Sequence, residues 1–257
     1  MRKIESLKKY KFLLEELTKR DFKKKYKRTV FGMLWSVLSP LLTLFIMRLV
    51  FTKFFGSSIA HFTIYLFAGQ LVFSYFQEST NTAMMALVNN KDIYAKVKMP
   101  KYMFVLSSNA SSFFNFMLTL AVFFIFVAVD GIAFSWNFLM LLYPILCLLG
   151  FNLGVGLILS AVNLFFRDTQ YLYGIFSLLL MYMSAIFYDV SIFSVNMQRL
   201  FLANPVYVYI KYFRIVVIDG NIPSLIFNLL ALLYPVITIG IGAWLYKKYD
   251  QRFMYYV

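Results

Sequence analysis

Residues 102–129 read YMFVLSSNASSFFNFMLTLAVFFIFVAV, 28 residues without an Asp, Glu, Lys or Arg. A helix rises about 1.5 Å per residue and a bilayer's hydrocarbon core is about 30 Å thick, so about 20 apolar residues suffice to cross it. A charge-free run of this length predicts a membrane-spanning helix. The residues around it have the same character. Stretches 136–166, 169–188 and 222–246 are also free of charge, and 30–51 is interrupted only by Arg48. A weaker stretch, 61–88, has an apolar first half, then Gln77 and Glu78, then a second apolar patch. It reads as one span with a polar inner end. The chain is 61% hydrophobic and 14% charged over 257 residues, with a mean hydropathy of +0.73. A soluble globule could not bury that much apolar surface.

The fold expected is therefore an all-α membrane protein of six transmembrane helices. Residues 189–221 are the awkward stretch, apolar but broken by Arg199, Pro205, Lys211, Arg214 and Asp219. Charges at mid-depth are costly, and the clean pieces are too short to cross. The stretch reads as a re-entrant external helical segment between spans five and six. Of the 25 Lys and Arg, twenty fall on one side of a six-span arrangement and only Lys53, Arg199, Lys211 and Arg214 on the other. Basic residues near span ends stay in the cytoplasm. Both termini are thus expected to be cytoplasmic, whereas seven spans would move the basic C-terminal cluster outside.

Residues 1–29 carry twelve Lys and Arg. This charged region is too long for a secretory leader, and the run after it lacks a small-residue cleavage site, so the segment is expected to be retained. Ile4, Leu7, Tyr10, Leu14 and Leu17 recur at helical spacing between lysines. That pattern fits an amphipathic helix on the inner leaflet, or simply a basic topology anchor. One membrane domain covers 1–257: interface helix 1–29, spans one to five 30–188, external segment 189–221, span six 222–246 and cytoplasmic tail 247–257.

The chemistry that is missing narrows the function. Gly is nowhere followed by Lys, so the phosphate-cradling loop G-x-x-x-x-G-K-[ST] is absent and any ATP must be used by a partner. The single histidine, His61, falls where a span meets the outer surface, which leaves a Ser–His hydrolase without a base in place. The eleven carboxylates are scattered, and only Glu15 and Glu16 are adjacent. Metal chemistry on prenyl phosphates wants them clustered. One cysteine, Cys147, excludes disulfides within the chain. Arg48 and Glu78 lie towards span ends, where a snorkelling or structural role accounts for them. A net charge of +14 would point to nucleic acid in a soluble protein, but here the cations flank greasy segments.

Three features remain. In span five, Tyr171 and Tyr182 lie three helical turns apart on one face, with Phe176, Met183 and Phe187 on a neighbouring face. Aromatic faces stack on sugar C–H bonds, so the stripe is either a glycan pathway or ordinary packing. The loop NNKDIYAKVKMP, 89–100, is short, basic and closed by a proline, and is either a turn or an element that transmits force. Arg167 and Asp168 sit side by side at the inner end of span four.

Taken together the chain resembles the permease subunits of ABC transporters that export polysaccharides, namely O-antigen, capsule and teichoic acid. Arg20, Asp21 and Tyr26 lead into Gly32, Trp35 and Pro40 of span one. Lys91, Asp92, Lys96, Lys98 and Pro100 match the family's coupling segment. Phe166, Arg167, Asp168 and Thr169 close span four. Asn204, Pro205, Val206 and Tyr207, with Arg214 downstream, follow span five, and a basic aromatic tail runs from Lys247 to Tyr256. Met99 stands before Pro100 where a Phe is frequent, and Ala185, Ile186 and Phe187 replace a frequent Ser/Thr-Pro.

The resemblance implies a homodimer in the bacterial cytoplasmic membrane, bound to two copies of an ATP-binding subunit that holds ATP and Mg. This chain itself would carry no cofactor. The cargo implied is a polyprenyl-diphosphate-linked glycan moving outward. Arg20, Asp21 and the 91–100 segment would couple to the ATPase, and Tyr26, Arg28, Trp35, Arg167 and Asp168 would form an inner gate. Tyr171, Phe176, Tyr182 and Phe187 would line the path, and Asn204, Pro205, Tyr207 and Arg214 would shape the exit. The alternatives are an ABC permease for a lipid or drug, or an integral-membrane glycan or prenyl-phosphate enzyme.

Overall fold

A computed structural model of the chain describes residues 2–27, 29–55, 59–94, 96, 99–249 and 253, with the side chains of 2–9 and 54–55 excepted. The roles expected of Ile4, Leu7, Arg28, Lys98 and most of the C-terminal tail lie outside these. The regular elements among the described residues are all helices. In chain order they form α1 (Arg2–Tyr26), a 3-10 turn at Gly32–Leu34, α2 (Trp35–Phe55), α3 (Phe62–Met84), α4 (Ala86–Asn89) and α5 (Lys91–Tyr94). Then follow α6 (Tyr102–Val129), a 3-10 stretch Trp136–Leu141, α7 (Leu142–Phe165), α8 (Thr169–Tyr182), α9 (Val195–Phe201), α10 (Pro205–Val217) and α11 (Leu225–Tyr249). Among the described residues four segments are long and apolar enough to cross a membrane: Gly32–Lys53, Tyr102–Val129, Trp136–Phe165 and Leu225–Tyr249.

The weakest of the six candidate spans in sequence, α3, is the hub of the bundle. It packs against α2, α6, α7, α8 and α10, and sixteen of its 23 residues are buried. A helix surrounded by protein does not need an apolar surface on every side. Its polar residues find partners instead. The Tyr75 hydroxyl donates to Asn109 Oδ1 at 3.3 Å, Gln77 Nε2 donates to Ser177 Oγ at 3.3 Å, and Thr80 and Tyr173 share a hydrogen bond.

Helix directions follow from these pairs. Along α3 and α6, Phe67 meets Phe123, Tyr75 meets Phe116 and Thr82 meets Ser112, an antiparallel order. Along α3 and α7, Phe76 meets Phe151 and Met84 meets Asn163, a parallel order. Helices α7 and α11 also run parallel. Their seam begins where Gly150 faces Pro235, passes Gly154 against Thr238 and Gly242 against Leu157, and ends with Ser160 and Tyr246 hydroxyls 2.8 Å apart. Small residues at such a seam let backbones approach closely, which is how helices associate where burial from water gives no drive.

The apolar run 169–188 is not one helix. Helix α8 stops at Tyr182, and Ala185 takes a left-handed backbone at φ 49°, a conformation that costs energy for a residue with a Cβ. Beyond it Phe187 is buried, stacks on Phe51 at 4.5 Å and lies 6.3 Å from the Tyr182 ring at the end of α8. Helix α1 also differs from a purely lipid-facing anchor. Leu17 and Thr18 are buried, and the helix packs on α6.

Helices α9 and α10 meet at 105° and form a hairpin. Its tip is sunk in the bundle, where the Leu202 carbonyl accepts from the Tyr234 hydroxyl, and α10 climbs back so that Tyr209 reaches Ala231 and Tyr212 reaches Asn228. All of α10 is buried except Pro205, Lys211 and Ile215. Asn204 starts it as an N-cap, its Oδ1 accepting from the amides of Val206 and Tyr207, and Pro205 at the first turn needs no hydrogen-bond acceptor.

Candidate functional site

The end of α1 is fastened to α3 and α6 by a chain of hydrogen bonds. Lys25 Nζ lies 2.8 Å from Glu78 Oε1, and Asn115 Nδ2 donates to the same oxygen at 2.7 Å. The Asn115 Oδ1 in turn accepts from the Tyr26 hydroxyl at 2.8 Å. The amide orientation is self-consistent, since an amide oxygen only accepts and an ammonium only donates. Asn115 and Tyr26 are buried, while Lys25 and Glu78 remain partly open. One turn back, Asp21 accepts from Ser107 on α6 at 2.9 Å and pairs with Arg20 at 2.6 Å.

Two cavities meet at this latch. The deeper one, about 460 Å³, lies among α2, α3 and α6 and is lined by Ser36, Ser39, Thr43, Gln70, Ser74 and Thr119, with Trp35 and Phe116 as aromatic walls. The other, about 310 Å³, is lined by Arg20, Asp21, Lys24 and Asn90. Lys25, Glu78 and Ser112 line both. The pair thus stands between a basic vestibule and a hydroxyl-rich cavity. Tyr26 and Trp35, expected at an inner gate, both line the deeper cavity. Lys25 and Asn115, which the sequence context did not single out, join them, as does Glu78, which it gave a snorkelling or structural role. A signal is present there, because Ser108, Ser111, Ser112, Asn115 and Thr119 recur at helical spacing within the otherwise apolar 102–129.

The remaining expected residues fall into separate places. Lys91 and Asp92 lie exposed on α5, and Lys96 and Pro100 follow before α6. Tyr94 anchors this segment, packed at 5.9 Å on Phe104. Burial pushes its hydroxyl up to about 12, opposed by the positive charge of Arg167 nearby. Arg167 therefore lies in the neighbourhood of Tyr94, and it lines neither cavity at the latch. Arg167 and Asp168 are exposed and make no ion pair among the described residues. Tyr171, Phe176 and Tyr182 are exposed on α8, at 69%, 51% and 56%, and line neither of the two cavities.

Asn204, Pro205, Tyr207 and Arg214 do gather, at the opposite end from the latch. Asn204 Nδ2 donates to Met183 O at 3.1 Å and to Ser184 Oγ at 3.0 Å. Arg214 is buried, with Nη1 donating to Ala185 O at 2.9 Å and Nη2 to Ile186 O at 3.1 Å and Tyr65 O at 3.2 Å. Its guanidinium lies 3.3 Å from the Tyr65 ring centre. The carbonyls left open where α8 breaks off are therefore closed by α10, and a planar fork suits several acceptors better than an ammonium does.

The latch gives a direct prediction. The half-open pair contributes about 1 kcal/mol at most and the Asn115 amide left without its acceptor costs about 1–3 kcal/mol, within a total stability of about 5–15 kcal/mol, so Glu78→Ala should leave the bundle folded. It should free the end of α1, seen as severalfold faster limited proteolysis of that helix. The swap Lys25→Glu with Glu78→Lys should recover much of the protection. Proteolysis unchanged in Glu78→Ala would show that the pair does not fasten α1.

Comparison with known proteins agrees with this architecture. The chain is 27% identical over 243 residues to an O-antigen export system permease protein RfbA of Klebsiella pneumoniae, covering 94% of this chain and 93% of the relative. It is 28% identical over 172 residues to a protein of the same name from Myxococcus xanthus, covering 67% and 66%. The sequence profile of the ABC-2 type transporters matches residues 13–218, which span the latch, both cavities and the α9–α10 hairpin, and the chain belongs to that family.

Proposed function

We propose that this chain is the membrane subunit of an ATP-driven exporter that moves a polyprenyl-diphosphate-linked glycan from the cytoplasmic to the outer face of a bacterial cell membrane. The observation that carries this reading is the hydroxyl-lined cavity of about 460 Å³ at the depth of the membrane-crossing helices, joined to a vestibule rimmed by Arg20, Lys24 and Lys25. Hydroxyls and aromatic walls suit sugar rings, and the cations suit a diphosphate. The names of the relatives, O-antigen export permeases, point the same way.

Six crossings are part of the proposal, made by α2, α3, α6, α7, α11 and the 14-residue α8 together with the non-helical stretch that follows it to Tyr188. The parallel order of α3, α7 and α11, and the antiparallel order of α3 and α6, are what strict alternation requires. The latch end carries most of the basic residues and is read as cytoplasmic, so the α9–α10 hairpin is re-entrant from outside. Two copies of the chain would pair and bind two ATP-binding subunits that hold ATP and Mg. Helix α1 and the 91–100 segment would receive the ATPase motion, and the Lys25–Glu78 pair would pass it to α3 and α6. Teichoic-acid and capsule-like glycans share the chemistry required of the cargo.

Depletion of this chain in its host tests the reading. Polyprenyl-linked glycan is expected to accumulate on the cytoplasmic face, where its sugar composition names the cargo. No accumulation at confirmed depletion would overturn glycan export and leave a lipid or drug permease.

A further inference from the structure

At the end of the bundle away from the latch, a cavity of about 340 Å³ opens between the α9–α10 hairpin and the start of α3. It is lined by the phenols of Tyr65 and Tyr207, the carboxylates of Asp189 and Asp219, the Lys211 ammonium and the Gln198 amide. Ligand sites begin at about this size and join apolar walls to a few convergent polar groups. Most of these groups have capacity to spare. Among the described residues Asp189, Asp219 and Lys211 form no ion pair. Asp189 uses Oδ1 for the Ser191 amide at 3.1 Å, and Lys211 lies 5.9 Å from the centre of the Tyr207 ring. Burial, with Asp189 close by, raises the pKa of Asp219 against the pull of Lys211. Arg214 forms the floor, and its fork is taken up by backbone carbonyls, so it holds the walls in place.

This lining selects a class of ligand. The two carboxylates are balanced by Lys211 and Arg214, but the donors of Arg214 are spent on backbone carbonyls. Among the described residues a diphosphate or acidic sugar thus meets one free cation beside two carboxylates and is disfavoured. Carboxylate and amide oxygens accept from hydroxyls, an ammonium donates to them, and phenol rings cover C–H faces. We infer that this cavity is a binding subsite for one uncharged or amino-bearing saccharide ring, which makes it a point of recognition for the glycan on the outer side. The inference rests on the export reading above and adds a site to it.

Saturation-transfer NMR on the full chain in nanodiscs tests it, with galactose, N-acetylglucosamine and glucuronate as probes. Galactose or N-acetylglucosamine should give signals above empty nanodiscs, and glucuronate should not. Loss of hydrogen bonds to charged groups in Asp219→Ala with Lys211→Met should weaken binding about tenfold or more. Trp244→Ala, on α11 and lining none of the three cavities, should leave these signals unchanged. Should the double variant not fold, a nitroxide on Ser191→Cys serves in its place, since Cys147 is buried. It should broaden the resonances of bound sugar. No saccharide signal, signals equal in the double variant, unbroadened bound sugar, or a preference for glucuronate would each overturn the site. Glycan accumulating on depletion while the sugars fail to bind would remove the site and keep the export reading, and the reverse result would do the opposite.

Discussion

Arg214→Met is expected to prevent the chain from accumulating as a folded protein, and Arg214→Lys to recover little of the loss. The side chain is 7% exposed and bonds the carbonyls of Tyr65, Ala185 and Ile186. Removing it leaves these acceptors without the donor they face, at about 1–3 kcal/mol for each buried group. Together that approaches the 3–5 kcal/mol typical of a broken buried charge network, against a total stability of about 5–15 kcal/mol. Methionine fills the volume without donating. Lysine brings a point charge that cannot span three carbonyls set around a planar fork. Gly69 shows how closely the arginine is fitted, since a Cβ there would stand 3.1 Å from Arg214 Nη2 and from Ile186 Cγ2. Protein level and thermal unfolding in detergent measure the effect. Unfolding of Arg214→Met within a few degrees of the parent would refute the account.

Gly154→Val is expected to separate α7 from α11, with a loss comparable to that of Arg214→Met. A Cβ at this position would lie 2.5 Å from Ile239 N and 2.6 Å from Thr238 C. These are backbone atoms, so no side chain can rotate away and the helices themselves must part. Overpacking in a core costs about 1–3 kcal/mol where neighbours can yield, and more is expected where they are backbone. Parting the helices at this point also loosens the rest of the seam, where Gly242 packs on Leu157 and Tyr246 bonds Ser160. Gly240→Ala is the matched control. A Cβ there meets nothing within 4 Å, and alanine favours the helix by about 1 kcal/mol. Equal unfolding temperatures for Gly154→Val and Gly240→Ala would show that the seam does not hold the two helices.

The candidate site was legible in part. Tyr26 and Trp35 were expected at an inner gate from the family resemblance, and both line the deeper cavity. Glu78 read as a carboxylate near a span end, because nothing local announces that Lys25, 53 positions earlier, lies 2.8 Å away. The tyrosines of α8 showed the opposite limit. Helical spacing put Tyr171 and Tyr182 on one face, and they share it, but the face points outward from the chain. Periodicity defines a stripe without saying what it meets.

By itself the sequence determined the solvent, the helical class and the bounds of the long apolar elements, since these follow from how many uncharged residues stand in a row. It also determined the start of α10, because Asn204 and Pro205 act on their own backbone turn. The tertiary structure alone decided that α3 is central, that α8 ends at Tyr182, and that Arg214 lies inside the protein. Each of those turns on whether a polar group finds a partner from a distant part of the chain. A charge that would be prohibitive in lipid becomes acceptable once carbonyls from residues 65, 185 and 186 surround it.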